Sequence, residues 1–246
     1  MKRLIAFDLD GTLAESKQPI DDEMATLLSG LLARLPVAVI SGGDWPQFEK
    51  QVVGRLPAQS KFENLFIMPT TGTKLYRYDG EWRQVYAETF DTATREKIEK
   101  ALDEGYKEAG LGDGKTWGER IEDRGSQITF SGLGQEAPLD AKKAWDPDFA
   151  KRKTLQAIVQ KKLPGLSVNV GGSTSIDITR PNTDKASAMR KLATHSDIAT
   201  EDMLFLGDAI YPGGNDDPVR AAGMDTIAVR DVDETKTAIR AFLFAR

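Results

Sequence analysis

Four short polar stretches carry the residue types that could do chemistry. The first, "IAFDLDGTL" (Ile5–Leu13), places Asp8 and Asp10 two positions apart directly after an apolar run, followed by Gly11 and Thr12. Two carboxylates so close at a strand end repel each other, which predicts something positive beside them. The second stretch is "VISGG", with Ser41 at its apolar end, and the third is Asp184-Lys185 at the opening of a late helix. The fourth is "GDAIYPGGND", with Asp208, Asn215 and Asp216. Each alone reads as a plain turn or helix start. Together they offer a group of carboxylates, a hydroxyl and an ammonium to one crevice. Such a set wants a hard divalent cation, and Mg²⁺ with oxygen ligands fits far better than zinc. A magnesium site beside a lysine and a serine suits a phosphoryl group, whose charge needs cations and hydrogen-bond donors. One carboxylate can attack phosphorus to form an aspartyl-phosphate. A second can protonate the leaving oxygen and later deprotonate water.

The elements that must position these residues follow from the apolar pattern. "RLIAFDL", "VAVIS" and "LFIMP" are short apolar runs without helical period, which reads as strands buried on both faces. Between them lie helical stripes, one behind Asp21 and one in "WPQFEKQVVGRL". This alternation predicts an α/β fold with a Rossmann-like, doubly wound parallel sheet. In such sheets ligands bind outside the carboxyl ends of the strands, where the four stretches fall. The rhythm then changes. "TKLYRYDGEWRQVY" reads as a hairpin turning at Asp79-Gly80. Further strands and two helices, over roughly 92–109 and 149–163, form an inserted α+β module. After Pro181 the parallel rhythm resumes. The expected division is a core of 1–85 with 180–246 and a cap of 86–179.

Composition narrows the function classes. Of 246 residues, 40% are hydrophobic and 29% charged, which is ordinary for a globular protein with a real core. The net charge of -5 argues against a nucleic-acid footprint. With no cysteine there is no disulfide, thiolate site or cysteine nucleophile. The single histidine, His195, excludes a multi-histidine metal site and reads as structural at a helix end. The N-terminal apolar run is too short for a signal peptide, and no stretch approaches 18 apolar residues, so the expected location is cytoplasmic with no membrane partner.

"DLDGT", "VISGG", the helix-opening "DK" and "GDAIYPGGND", in this order, resemble the four motifs of the haloacid dehalogenase superfamily of phosphotransferases. The insertion between the second and third resembles the IIB (Cof-type) branch. Within it, "GGSTSIDIT…DK" and the metal loop are similar to the eukaryotic-type phosphomannomutase family. The resemblance implies Asp8 as nucleophile and metal ligand, and Asp10 as acid/base with its backbone carbonyl on Mg²⁺. It implies that Ser41, Gly42 and Lys185 hold the phosphoryl group and that Asp208 completes the metal site, supported by Asn215 and Asp216. In the cap it implies Ser175 and Asp177 as sugar contacts, although alternation along a strand on a solvated face would also pair them. It implies Arg124 as a phosphate-binding arginine. Gln135 stands where the mutase family has a further arginine, and another family arginine would fall near Trp117–Gly118, with Arg120 out of register. A mutase must grip a remote phosphate while the sugar turns round. The expected function is therefore a Mg²⁺-dependent phosphatase of a small phosphorylated metabolite, a sugar phosphate by resemblance. A phosphohexomutase is the alternative. A non-enzymatic sensor of a phosphorylated ligand would be expected to lose the nucleophile or the lysine, and this chain keeps both. Related mutases pair through their caps, so a homodimer, if formed, is expected to use that surface.

Overall fold

A computed structural model of the chain describes residues 2–112 and 114–244. The chain divides into two compact units, Met1–Ala87 with Asp184–Arg246, and Glu88–Thr183.

The first unit is built on β1 (Leu4–Phe7), β2 (Val37–Ile40) and β3 (Leu65–Met68), every residue of which is buried. With β4 (Lys74–Tyr78), β5 (Trp82–Ala87), β10 (Met203–Gly207) and β11 (Thr226–Ala228) they form one sheet in the order β11-β10-β1-β2-β3-β4-β5. The first five strands of that order are parallel, and the β4–β5 hairpin closes the edge antiparallel. Alternate residues feed opposite faces. Ile5, Phe7, Val37 and Val39 join a core beneath α1 (Asp22–Leu32), α2 (Trp45–Gln51) and α9 (Val232–Phe244). Leu4, Ala6, Ala38 and Ile40 join another beneath α7 (Lys185–Ser196) and α8 (Asp217–Ala221). The chain runs outward from β1 through β2 and β3, then returns to β1's other side through β10. The switch point of this doubly wound sheet therefore lies at the ends of β1 and β10, which deliver Asp8 and Asp208.

The expected second helix is shorter than its stripe. α2 stops at Gln51, and Val53–Arg55 tightens into a 3-10 turn. Two valines and a glycine in succession are weak helix formers, so the tighter turn wins there. At the end of β3 the helical turn α3 (Pro69–Gly72) contains two left-handed threonines, Thr70 and Thr71.

The second unit holds β6 (Ile121–Asp123), β7 (Ile128–Ser131), β8 (Ser167–Val170) and β9 (Ser175–Thr179) in an antiparallel sheet of order β6-β7-β9-β8. Ile128, Phe130, Ile176, Ile178 and Val168 face α4 (Thr92–Glu108) and α6 (Ala150–Lys162), burying one apolar side of the sheet. A further short helix, α5 (Leu139–Trp145), has no expected counterpart in the sequence reading. Its seven residues carry no clear apolar stripe.

Candidate active site

Asp8 follows the last residue of β1, and its N–H still donates to Leu206 O at 2.9 Å. The chain then turns sharply, because Leu9 O accepts from both Leu13 N and Ala14 N. Gly11 makes that turn with φ at 89°, and a Cβ there would lie 2.5 Å from Asp208 Oδ2. Glycine is thus required for both conformation and space, and its absence of side chain admits the Asp208 carboxylate. Thr12 Oγ1 donates to Asp208 Oδ1 at 3.2 Å.

A positive group already stands beside Asp8, and it is Lys185. Asp184 caps α7 through Ser187 N in a reciprocal capping box, fixing where the helix begins. From the first turn, Lys185 Nζ reaches Asp8 Oδ1 at 2.6 Å and also pairs with Asp216 Oδ1. All three side chains are buried. The other Asp216 oxygen accepts the Ala209 N–H at 3.0 Å, which anchors the loop after β10. Burial pushes the Asp8 carboxyl up to about 7, against the opposing pull of Lys185. Burial also works against the Lys185 charge, but Asp8 and Asp216 outweigh it and hold the ammonium above its ordinary range. One lysine facing two buried carboxylates leaves local negative charge in excess. Carboxylate oxygens of Asp8, Asp208 and Asp216 all lie within 4.8 Å of one another, an all-oxygen set of the kind Mg²⁺ takes. Asp216 is therefore part of the carboxylate cluster itself, while Asn215 is exposed on the loop beside it.

Ser41 directly follows β2, the strand beside β1, and is buried. Its carbonyl accepts from Thr71 N at 2.9 Å, and the Gly43 carbonyl accepts from Thr70 N at 2.8 Å. The Ser41–Gly42–Gly43 loop is thereby tied at both ends to the left-handed turn. Thr70 (φ 49°, ψ 46°) and Thr71 (φ 56°, ψ 39°) are β-branched residues in a region that costs L-residues about 1–2 kcal/mol each. Gly72 continues the turn at φ 75°, and a Cβ there would lie 2.3 Å from the Ala188 Cβ on α7. The turn is wedged between the serine loop and the helix that carries Lys185.

Asp10 does not point its carboxylate into the Asp8–Asp208–Asp216 cluster. Its Oδ1 accepts from Lys17 N at 2.6 Å and its Oδ2 from Gln47 Nε2 at 3.2 Å. Gln47, in the first turns of α2, is a site residue that the sequence reading missed. Its only signal is position, six residues after Ser41 on the helix that the serine loop opens.

In the second unit, register sets Glu122, Thr129, Asp177 and Asn169 in one row across all four strands. Thr129 Oγ1 donates to Asp177 Oδ1 at 2.7 Å. Burial raises the Asp177 carboxyl above its ordinary range, opposed by the Thr129 hydrogen bond and the Arg124 charge. Ser175 shares this polar face, since a Cβ on Gly171 would meet both Asp177 Oδ2 and Ser175 Oγ. Arg124 pairs with Glu122 at 2.7 Å. Gln135 turns its amide to backbone, donating to Arg120 O at 3.2 Å and Thr129 O at 3.5 Å. Arg120 lays its guanidinium over the Tyr106 ring at 4.5 Å, on the helical side of the sheet. His195 stacks on Tyr86 at 4.9 Å.

A doubly wound sheet that brings Asp8, the buried Lys185 and the acidic loop of Asp208 and Asp216 to its switch point fits the haloacid dehalogenase class of enzymes. The chain belongs to the haloacid dehalogenase-like hydrolase family, whose model matches residues 5–211. It is similar to human phosphomannomutase 1, with 27% identity over 241 residues, 93% of this chain and 88% of the relative. Fission yeast phosphomannomutase is 26% identical over 223 residues, 87% of this chain and 84% of that one. Among solved structures, Plasmodium falciparum IMP-nucleotidase aligns with a TM-score of 0.70 at 17% identity, covering 98% of this chain and 68% of that one. A haloacid dehalogenase-like hydrolase from Bacteroides thetaiotaomicron aligns with a TM-score of 0.66 at 16% identity, over 98% and 100% of the two chains. Among the described residues no helix is long and apolar enough to cross a membrane.

Proposed function

We propose that this protein is a Mg²⁺-dependent phosphatase of a small phosphorylated metabolite, with a sugar phosphate as the favoured substrate class. The observation that carries this reading is the engagement of the cap's candidate cationic groups. Arg124 is paired with Glu122, Arg120 is stacked on Tyr106, and a neutral amide at Gln135 is bonded to backbone. A mutase needs a strong grip on a second, remote phosphate, which a charge-assisted arginine contact gives and a neutral amide does not. The Asp177–Thr129 row, by contrast, offers carboxylate, hydroxyl and amide groups suited to sugar hydroxyls.

The steps follow from the residues. Lys185 holds the Asp8 carboxylate by one oxygen and adds positive charge where the phosphoryl oxygens gather. A carboxylate oxygen of Asp8 attacks phosphorus, the P–O ester bond breaks, and Asp10 gives its proton to the departing alkoxide oxygen. Water then attacks the aspartyl-phosphate and loses a proton to Asp10, the bond between phosphorus and the Asp8 oxygen breaks, and inorganic phosphate leaves. Asp8 and Asp208 carboxylates with the Asp10 carbonyl would hold Mg²⁺, with Asp216 in support. When bound, the ion offsets the phosphoryl charge. Gln47 and the Lys17 N–H position Asp10.

The second reading, a phosphohexomutase, is supported by the phosphomannomutase relatives. In it the aspartyl-phosphate passes to a sugar hydroxyl rather than to water. One experiment separates the two. The protein is incubated with mannose 1-phosphate and Mg²⁺, with and without a hexose 1,6-bisphosphate. Free phosphate is expected; mannose 6-phosphate forming faster than phosphate would establish the mutase instead.

A further inference from the structure

The left-handed turn after β3 has a part the steps above do not use. Its ties to the serine loop are made by backbone N–H groups of Thr70 and Thr71, which any residue other than proline could supply. Glycine or asparagine would supply them without strain, because both enter the left-handed region readily. Thr70 has a structural use for its side chain, since its hydroxyl is buried against that of Thr73 at 2.6 Å. Thr71 differs. It is half-buried, and its hydroxyl has no hydrogen-bond partner among the described residues. That hydroxyl lies beside Gly42, 4.0 Å from where a Cβ on that residue would stand. Strained residues persist where the surroundings over-determine them, and they cluster at ligand clamps.

We infer that Thr71 is a substrate-contacting residue whose hydroxyl donates a hydrogen bond to the phosphoryl group, next to the donors on Ser41 and Gly42. The left-handed turn is what brings it there. Wedged between the serine loop and α7, the turn directs one threonine inward to Thr73 and leaves the next beside the phosphoryl pocket. The bond made is a neutral hydroxyl to a charged oxygen, the kind whose loss is felt strongly. The inference rests on the reading of Ser41, Gly42 and Lys185 as the groups that hold the phosphoryl moiety.

Inorganic phosphate, titrated calorimetrically into the full chain with Mg²⁺, is the probe. Four variants are compared with the wild type: Thr71→Ser, Thr71→Val, Thr71→Gly and, as a control, Ser41→Ala. Thr71→Ser should bind like the wild type, whereas Thr71→Val and Thr71→Gly should bind about ten- to a hundredfold more weakly. Thr71→Gly should melt no lower than the wild type, because glycine adopts the turn freely, so its weaker binding is not a folding defect. Undiminished phosphate affinity in Thr71→Val and Thr71→Gly, with Ser41→Ala weakened, would overturn the role of Thr71 and leave the phosphoryl pocket standing. Undiminished affinity in all four, or no binding by the wild type, would overturn the pocket along with it.

Discussion

The Lys185 ammonium lies 2.6 Å from Asp8 Oδ1, with the two side chains only 2% and 6% exposed. The same ammonium pairs with Asp216, which is fully buried. Removing a partner from a buried ion pair costs more than the pair itself contributes, since the remaining charge is stranded. Here Lys185→Met would strand two carboxylates beside Asp208. The variant should lose about 3–5 kcal/mol of stability in urea unfolding without metal. Added Mg²⁺ should restore more of that loss than it adds to the wild type. Equal unfolding midpoints for the two proteins without metal would contradict this electrostatic account.

Asp8→Asn should abolish turnover while leaving the fold intact, because an amide is a poor nucleophile and a weaker Mg²⁺ ligand. The measurement is phosphate release, with mass spectrometry to exclude deamidation back to aspartate. Turnover near the wild-type rate would remove Asp8 from its role.

Asp10 predicts a different signature. Asp10→Asn should slow hydrolysis of alkyl phosphates far more than of aryl phosphates, whose leaving groups need less protonation. Gln47→Leu should shift rates in the same direction but less, since Lys17 N still holds the other carboxylate oxygen. Comparing kcat for aryl and alkyl phosphates tests both, and equal losses would count against Asp10 as the acid.

These variants also mark what the sequence makes legible. Asp8, Ser41, Lys185 and Asp208 stand at the ends of apolar strands or at a capped helix start. Burial of those strands on both faces leaves their polar neighbours nowhere to go but the switch point. The Asp79-Gly80 hairpin is equally plain, because turn chemistry and strand alternation agree. Gln47 and Thr71 are not legible in this way. Gln47 reaches Asp10 only because α2 folds back over the serine loop, a tertiary fact with no local pattern. The left-handed threonines oppose local propensity, and tertiary ties such as those to Ser41 and Gly43 hold them. The resemblance gives Asp216 only a supporting part, yet its side chain is the most buried of the three carboxylates in the cluster.

The second unit has its own buried ion pair, Asp146 with Arg152, at 2.7 Å and 0% and 4% exposure. Burial opposes the Asp146 charge, but Arg152 and the N–H groups of Lys151 and Arg152 win and hold its carboxyl below the ordinary 3.8. A depressed carboxyl contributes stability that is complete above its unfolded value and is lost as pH falls through the folded one. Unfolding followed by a probe in this unit such as Trp145 fluorescence should therefore show a loss of stability below about pH 4. Asp146→Asn should cost about 3 kcal/mol at neutral pH and flatten this acid dependence, because Arg152 is stranded whatever the pH. An unchanged acid limb in the variant would show that other carboxyls govern it.

Gln135 offers the sharpest test of hydrolase against mutase. Its amide is bonded to the carbonyls of Arg120 and Thr129, which joins the β6 edge to β7. An arginine there can keep a donor on those carbonyls, because its fork carries five N–H groups, and still direct charge toward the polar face that bears Asp177. Gln135→Arg should then fold with little loss and bind hexose 1,6-bisphosphates more tightly, by about tenfold, while monophosphate affinity changes less. The measurement is competitive inhibition of phosphate release by each ligand, run on both proteins. Equal gains for mono- and bisphosphates would mean that the added charge acts as a general attractor and that position 135 does not meet a remote phosphate. A wild-type protein that already binds the bisphosphate far more tightly than the monophosphate would point to Arg124 as the grip, released from Glu122 when that ligand arrives.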